Sequence, residues 1–107
     1  MTEKYYNEQG EVAVLYSPGF GAGWSTWSFY YREELVFDKR IVEKVLARER
    51  ELINEEFMQS LGYTEYTCLL GADELTIAWL PVDTRFTIEE YGGAESLRTE
   101  KSLEYTA

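Results

Sequence analysis

The residues best equipped for chemistry in this chain lie together in "SPGFGAGWSTW", residues 17–27. Gly19, Gly21 and Gly23 alternate, and alternating glycines permit positive φ angles and a close approach of the backbone to a ligand. Successive N–H groups in such a loop can form a nest that binds an anion. Ser25 and Thr26, if they open a helix, add hydroxyls and N-terminal N–H groups. Trp24 and Trp27 supply flat faces that stack on a base. Gly19, Phe20, Gly21, Ala22, Gly23, Trp24, Ser25, Thr26 and Trp27 together make a candidate site for a nucleotide-like anion.

The stretch is not a known phosphate loop. A Walker loop needs a lysine followed by Ser or Thr, and no lysine occurs between Lys4 and Lys39. A dinucleotide fingerprint fails at Trp24, which stands where the last Gly or Ala belongs. The alternative is structural: a glycine-bent exit from a strand, with both tryptophans packed in the core. Three cations bear on the choice. Arg32 follows the loop, while Arg85 and Arg98 fall on strands expected to be neighbours, outward on one face, where they add positive charge to the site. The plainer role of each arginine is a solvated charge paired with one of the many acids.

Other chemistries are thinner. The chain has no histidine, so Ser–His–Asp and Cys–His catalysis are excluded. The commonest zinc ligand is missing, and one cysteine cannot supply the rest. Cys68 reads as a small core residue in an apolar strand. It forms no internal disulfide, which suits a reducing cytoplasm. Glu33 and Glu34, Glu55 and Glu56, and Glu89 and Glu90 are adjacent pairs. Neighbours on a helix or strand point apart, so none makes an acid–base couple. Asp73 and Asp83 read as turn residues. An enzyme using Ser17, Tyr16 or a glutamate has the least support; the expectation is no enzyme, no cofactor and no metal.

Ten basic residues against twenty acidic ones leave a net charge of −10. Such a surface repels nucleic acid and anionic membranes. It attracts a basic partner or mimics nucleic acid, besides keeping the protein soluble. No stretch is long enough to span a membrane, and the polar, acidic start "MTEKYYNEQG" predicts no signal peptide. The expected location is the cytoplasm.

The elements that must position the loop follow from periodicity. With 45% hydrophobic residues among 107, the chain is expected to form one domain, 1–107, with residues 1–10 and 101–107 loose. "EVAVLY", 11–16, reads as a buried strand. Residues 26–36 fit either a short helix or extended chain. A helix starts near Asp38 as N-cap, carries Val42, Val45, Leu46, Ile53, Phe57 and Leu61 on one face, and stops at Gly62. Because Arg48 to Glu51 interrupt that stripe, two helices with a kink fit as well as one. Beyond Gly62 the period becomes two. Strands are predicted over 65–70, over "ELTIAWL" with Leu75, Ile77 and Trp79 on one face, and over "RFTIEEY" with Phe86 and Ile88 inward. Gly92–Gly93 signals a tight turn, and "AESLRTE" a last strand. The fold class is α+β: an antiparallel sheet of four to five strands with one or two helices packed on one face.

Two stretches, "VLYSPGFGAGWSTWS" (14–28) and "LLGADELTIAWLPVDTRFTIEEYGGAESL" (69–97), resemble a family of small uncharacterised proteins common in bacteriophages and prophages. Members are similar in a Gly-Ala-Gly-Trp-Ser-Thr-Trp core, a Gly-Ala turn, a Trp-Val-Pro strand end and a Glu-Tyr-Asp-Gly-Ser-Glu-like turn. This chain departs at Leu80 before Pro81 and at "YGGAE", 91–95. The resemblance implies a phage protein that binds, inhibits or decoys rather than a metabolic enzyme. The expected function is a non-enzymatic antagonist of host defence in the host cytoplasm. It would sequester a nucleotide-type second messenger through the Gly/Trp loop, and as a homo-oligomer it would complete its pocket. The alternative is an acidic inhibitor that mimics nucleic acid. It would present carboxylates, among them those of the 49–56 helix, to a host defence or nucleic-acid-binding protein. Direct nucleic-acid and membrane binding are not expected.

Overall fold

Four consecutive apolar residues open the first strand, β1 (Val12–Tyr16), and Val12 to Leu15 are fully buried. A strand reads as an unbroken apolar run when both its faces are covered, and the computed structural model shows what covers them. It describes residues 2–19, 23–65, 67, 69–99 and 105–107. Val12 and Val14 pack with Val36, Phe37, Phe86, Ile88 and Tyr105. Ala13 and Leu15 face the other way, into a cluster with Trp24, Leu35, Ile41, Val42, Met58 and Leu75.

β1 pairs antiparallel with β2 (Thr76–Leu80), Val12 opposite Leu80 and Tyr16 opposite Thr76. The alternation expected for β2 holds: Leu75, Ile77 and Trp79 join the second of those clusters, Ala78 and Leu80 the first. A separate three-stranded sheet has β3 (Arg85–Tyr91) at its centre, flanked by β4 (Ala94–Arg98) and the short β5 (Tyr105–Thr106). The turn between β3 and β4 is two residues long, since Tyr91 faces Ala94. Gly92 and Gly93 have φ of 59° and 90°, the pair of positive angles that a type I′ turn requires and that glycine adopts without strain.

The fold is α+β, as the pattern indicates, but among the described residues the strands form two antiparallel sheets, not one. The two sheets touch at Ser17. Just past β1, its carbonyl accepts from the Glu95 N–H at 2.8 Å, and this link joins β1 to β4 in place of a continuous ladder. The predicted strand over 65–70 does not form among its described residues; β2 is preceded instead by a single 3-10 turn, Ala72–Glu74. Cys68 lies outside the described residues.

Residues 26–36 resolve into a 3-10 turn, Ser25–Trp27, followed by α1 (Arg32–Phe37). The long helix is broken, as the charged interruption allowed. α2 (Lys39–Leu46) begins at Asp38, whose side chain accepts from the Arg40 N–H. It ends before Arg48, which sits at φ 60°. A 3-10 turn, Arg50–Leu52, leads to α3 (Glu55–Ser60), capped by Asn54 through the Phe57 N–H. Gly62, at φ 100°, closes α3: its N–H reaches Gln59 O and that of Tyr63 reaches Met58 O, a Schellman ending. Leu46, expected on the buried stripe, is exposed because α2 ends there.

The start of the chain is not loose. Tyr6 bridges to Val12, Ala13 N–H donates to Tyr5 O, and Lys39 N–H donates to Glu3 O. At the other end Tyr105–Thr106 pair with β3, and Ala107 is buried between backbone bonds to Asp83 and Thr84. Residues 101–104 lie outside the described residues. Among the described residues no helix is long and apolar enough to cross a membrane.

Candidate functional site

The backbone donors of the glycine loop hold an anion, and the chain itself supplies it. Glu95, on β4, has only 2% of its surface exposed. Its Oε1 accepts from Ser17 N–H at 2.8 Å. Its Oε2 accepts from Trp24 N–H at 2.7 Å, Thr26 N–H at 3.1 Å and the Thr26 hydroxyl at 2.6 Å. Burying a carboxylate is costly unless its lone pairs are filled by donors, and here four are. The donors that meet the carboxylate are the N–H groups of Ser17, Trp24 and Thr26 and the Thr26 hydroxyl, and neither Gly19 nor Gly23 adopts the positive φ on which the expected nest was based.

Strand geometry puts Glu95 there. The Gly92–Gly93 turn sets the register so that Glu90 faces Glu95 and Ile88 faces Leu97. Alternation then places Glu90, Glu95 and Leu97 on the inward face with Phe86 and Ile88. Sequence reasoning passed over Glu95. The signal was present: with Leu97 read as an inward residue, Glu95 two positions earlier shares its face.

The two tryptophans part company. Trp24 is completely buried, with its indole N–H donating to Leu35 O at 2.7 Å; it is a core residue without a free face for stacking. Trp27 is 39% exposed, and its indole N–H reaches Glu90 Oε2 at 3.3 Å. Ser25 is buried, and among the described residues its hydroxyl, like that of Ser17, has no hydrogen-bond partner. Thr26 is spent on Glu95.

Gly23 serves close packing: a Cβ there would lie 2.7 Å from Trp27 Cδ1. Gly71, across the loop, is more constrained, since a Cβ would meet the Gly23 carbonyl oxygen at 2.6 Å and Ser17 Oγ at 2.9 Å. At Gly19 the nearest atom to a Cβ would be Glu74 Cγ, at 2.7 Å. Phe20, Gly21 and Ala22 lie outside the described residues.

The expected cations do not join the loop. Arg85 and Arg98 share the outward face of β3 and β4, opposite to Glu90 and Glu95, and Arg98 Nε is 3.0 Å from Glu89 Oε1. Arg32 does reach it. Its Nε donates to Ser28 O at 2.7 Å and its Nη2 to Thr26 O at 3.4 Å, on either side of Trp27.

A second polar centre lies between α1, α2 and the end of α3, unforeseen except for the cap. Asp38 accepts from the Arg40 guanidinium at 2.8 and 3.1 Å, from Arg40 N–H at 2.9 Å and from the Tyr63 hydroxyl at 2.6 Å. It lines a cleft of about 430 Å³ with Glu3, Tyr31, Glu34, Lys39 and Tyr63. Burial works to raise the Asp38 carboxyl, but the bonds from Arg40 and Tyr63 outweigh it and hold the group below the ordinary 3.8. Burial first, and the bond to Asp38 second, push Tyr63 far above the ordinary 10.0.

Both shifts fix a sign. A depressed folded value contributes stability above the unfolded value and loses it as pH falls through the folded one; a raised value loses it as pH climbs past the unfolded one. The protein is therefore expected to weaken below about pH 4 and above about pH 10. Asp38→Ala should cost about 2–4 kcal/mol, from a lost cap and an orphaned Tyr63 hydroxyl. Asp38→Asn should flatten the acid limb. Urea denaturation across pH tests this, and equal acid limbs in wild type and Asp38→Asn would refute it.

Among the described residues no group of three or more His, Cys, Asp or Glu side chains is placed to hold a metal ion. Comparison with known protein families, curated proteins and solved structures finds no match.

Proposed function

We propose that this chain is a small, phage-encoded, non-enzymatic binding protein. It acts as an acidic inhibitor of a basic, nucleic-acid-binding protein of host defence. The observation that carries this reading is the occupation of the loop by Glu95. With those donors committed and Trp24 buried, the property left for recognition is the net charge of −10. Glu51, Glu55 and Glu56 are exposed around the 3-10 turn and the start of α3.

The test is capture of host proteins by the tagged chain at graded salt. Raising salt from about 0.1 M to about 1 M shortens the screening length from about 10 Å to about 3 Å. Partners should be basic, should be released over that range, and should be displaced by DNA. Capture that ignores salt and DNA would sink the reading.

Sequestration of a nucleotide second messenger is the second reading. The half-exposed Trp27 beside Arg32 speaks for it, a stacking face next to a cation. A phosphate seeking those N–H groups would have to displace Glu95. Cyclic dinucleotides and ADP-ribose derivatives are therefore expected to leave the melting temperature unchanged. A rise by mass action that Trp27→Ala abolishes would put this reading first.

A further inference from the structure

The segment after the loop displays aromatic rings to solvent. Phe29 is 86% exposed and Tyr30 51%, next to the half-exposed Trp27. The display is built into the backbone. Ser28, between Trp27 and Phe29, is buried, and its hydroxyl donates to Trp24 O at 3.0 Å. Arg32 holds the Ser28 carbonyl. Tyr31 stands at φ 62°, an angle a bulky side chain adopts only where the surroundings enforce it. Its ring meets Tyr63 edge-on at 5.0 Å, and its hydroxyl lies 3.3 Å from Thr64 Oγ1. With Ser28 and Tyr31 pinned, Phe29 and Tyr30 are held outward. Glu90 lies against the Trp27 indole and the exposed Glu33 stands in the first turn of α1, while the guanidinium of Arg32 is turned onto the Ser28 and Thr26 carbonyls.

We infer that Trp27, Phe29 and Tyr30 form the docking surface of this protein, and that its occupant is an arginine-bearing segment of a basic protein. The inference rests on the acidic-inhibitor reading and gives it a place on the molecule. Charge complementarity selects the occupant. Two copies at −10 each repel, as do nucleic acid and anionic lipid. A guanidinium suits the face better than an ammonium, because it stacks flat on an aromatic ring while forking to a carboxylate.

Fluorescence anisotropy with labelled nona-arginine and nona-lysine at low salt tests this. Wild type is expected to prefer nona-arginine. The Phe29→Ala/Tyr30→Ala pair should weaken nona-arginine binding about four- to twenty-fivefold and erase the preference, at about two- to fivefold for each exposed ring. Both side chains are exposed, so the fold should persist. Tyr91→Ala is the control: its ring is 83% exposed but, next to Glu90 on β3, alternates to the opposite face, and its removal should change nothing.

If the double variant binds nona-arginine like wild type, or Tyr91→Ala loses as much, the surface is wrong. The acidic-inhibitor reading then stands as long as both peptides still bind. If neither peptide binds, that reading falls as well. Sedimentation velocity adds one more outcome: self-association of wild type that the double variant abolishes would give this face to a second copy and overturn the proposal.

Discussion

Replacing Glu95 with alanine should lower stability by about 3–5 kcal/mol, because the buried donors gathered on its carboxylate are left without an acceptor. Three backbone N–H groups and one hydroxyl would lose their acceptor, each at about 1–3 kcal/mol if water cannot reach it. The total stays below their sum because the loop can open to solvent. Glu95→Gln should lose about 2 kcal/mol, since the amide keeps one accepting oxygen but turns an NH2 toward backbone N–H groups, which only donate. Urea denaturation gives the magnitudes. Hydrogen exchange gives the location, with protection falling first at the Ser17, Trp24 and Thr26 amides that bond to Glu95. A loss under about 1 kcal/mol with those amides still protected would show that the carboxylate does not hold the loop.

Trp24→Ala should be as damaging, and Trp27→Ala should not. Trp24 is the largest fully buried side chain, and its indole N–H bonds to Leu35. Truncating a buried tryptophan costs about 3–5 kcal/mol, from lost transfer energy and the cavity left behind. Trp27 is part-exposed and should cost about 1 kcal/mol or less. Since domains of this kind have only about 5–15 kcal/mol to lose, Trp24→Phe gives a graded companion that stays folded. Equal losses at the two positions would mean that the division into core and surface tryptophan is mistaken. The contrast bears on function too. Loss of binding in a Trp24 variant reports unfolding, while loss in a Trp27 variant with an unchanged melting temperature reports a contact.

Much of the local structure was legible. The run Val12–Leu15 announced a strand covered on both faces. Alternation placed Phe86 and Ile88 inward, Gly92–Gly93 specified the hairpin turn, and Asp38 and Gly62 marked a helix start and stop. These signals work because each is settled within a few residues, by side-chain period or by the φ angle a turn demands. Where local signals were balanced, the reading wavered. Among its described residues the segment 65–70 forms no strand, and β1 pairs with β2.

The loop marks the division most clearly. Its composition pointed to an anion nest or a glycine-bent strand exit, and the N–H groups that meet the carboxylate are those of Ser17, Trp24 and Thr26. Which anion they meet was decided by the fold. Ser17 and Glu95 are 78 residues apart, and only the register of β3 against β4, with the link from β4 to the end of β1, brings that carboxylate under the loop. The fates of Trp24 and Trp27 were decided in the same way. Similar side chains three residues apart on one turn point in different directions, and no local rule says which direction holds the core until the packing partners, Leu35 for one and Glu90 for the other, have arrived from elsewhere in the chain.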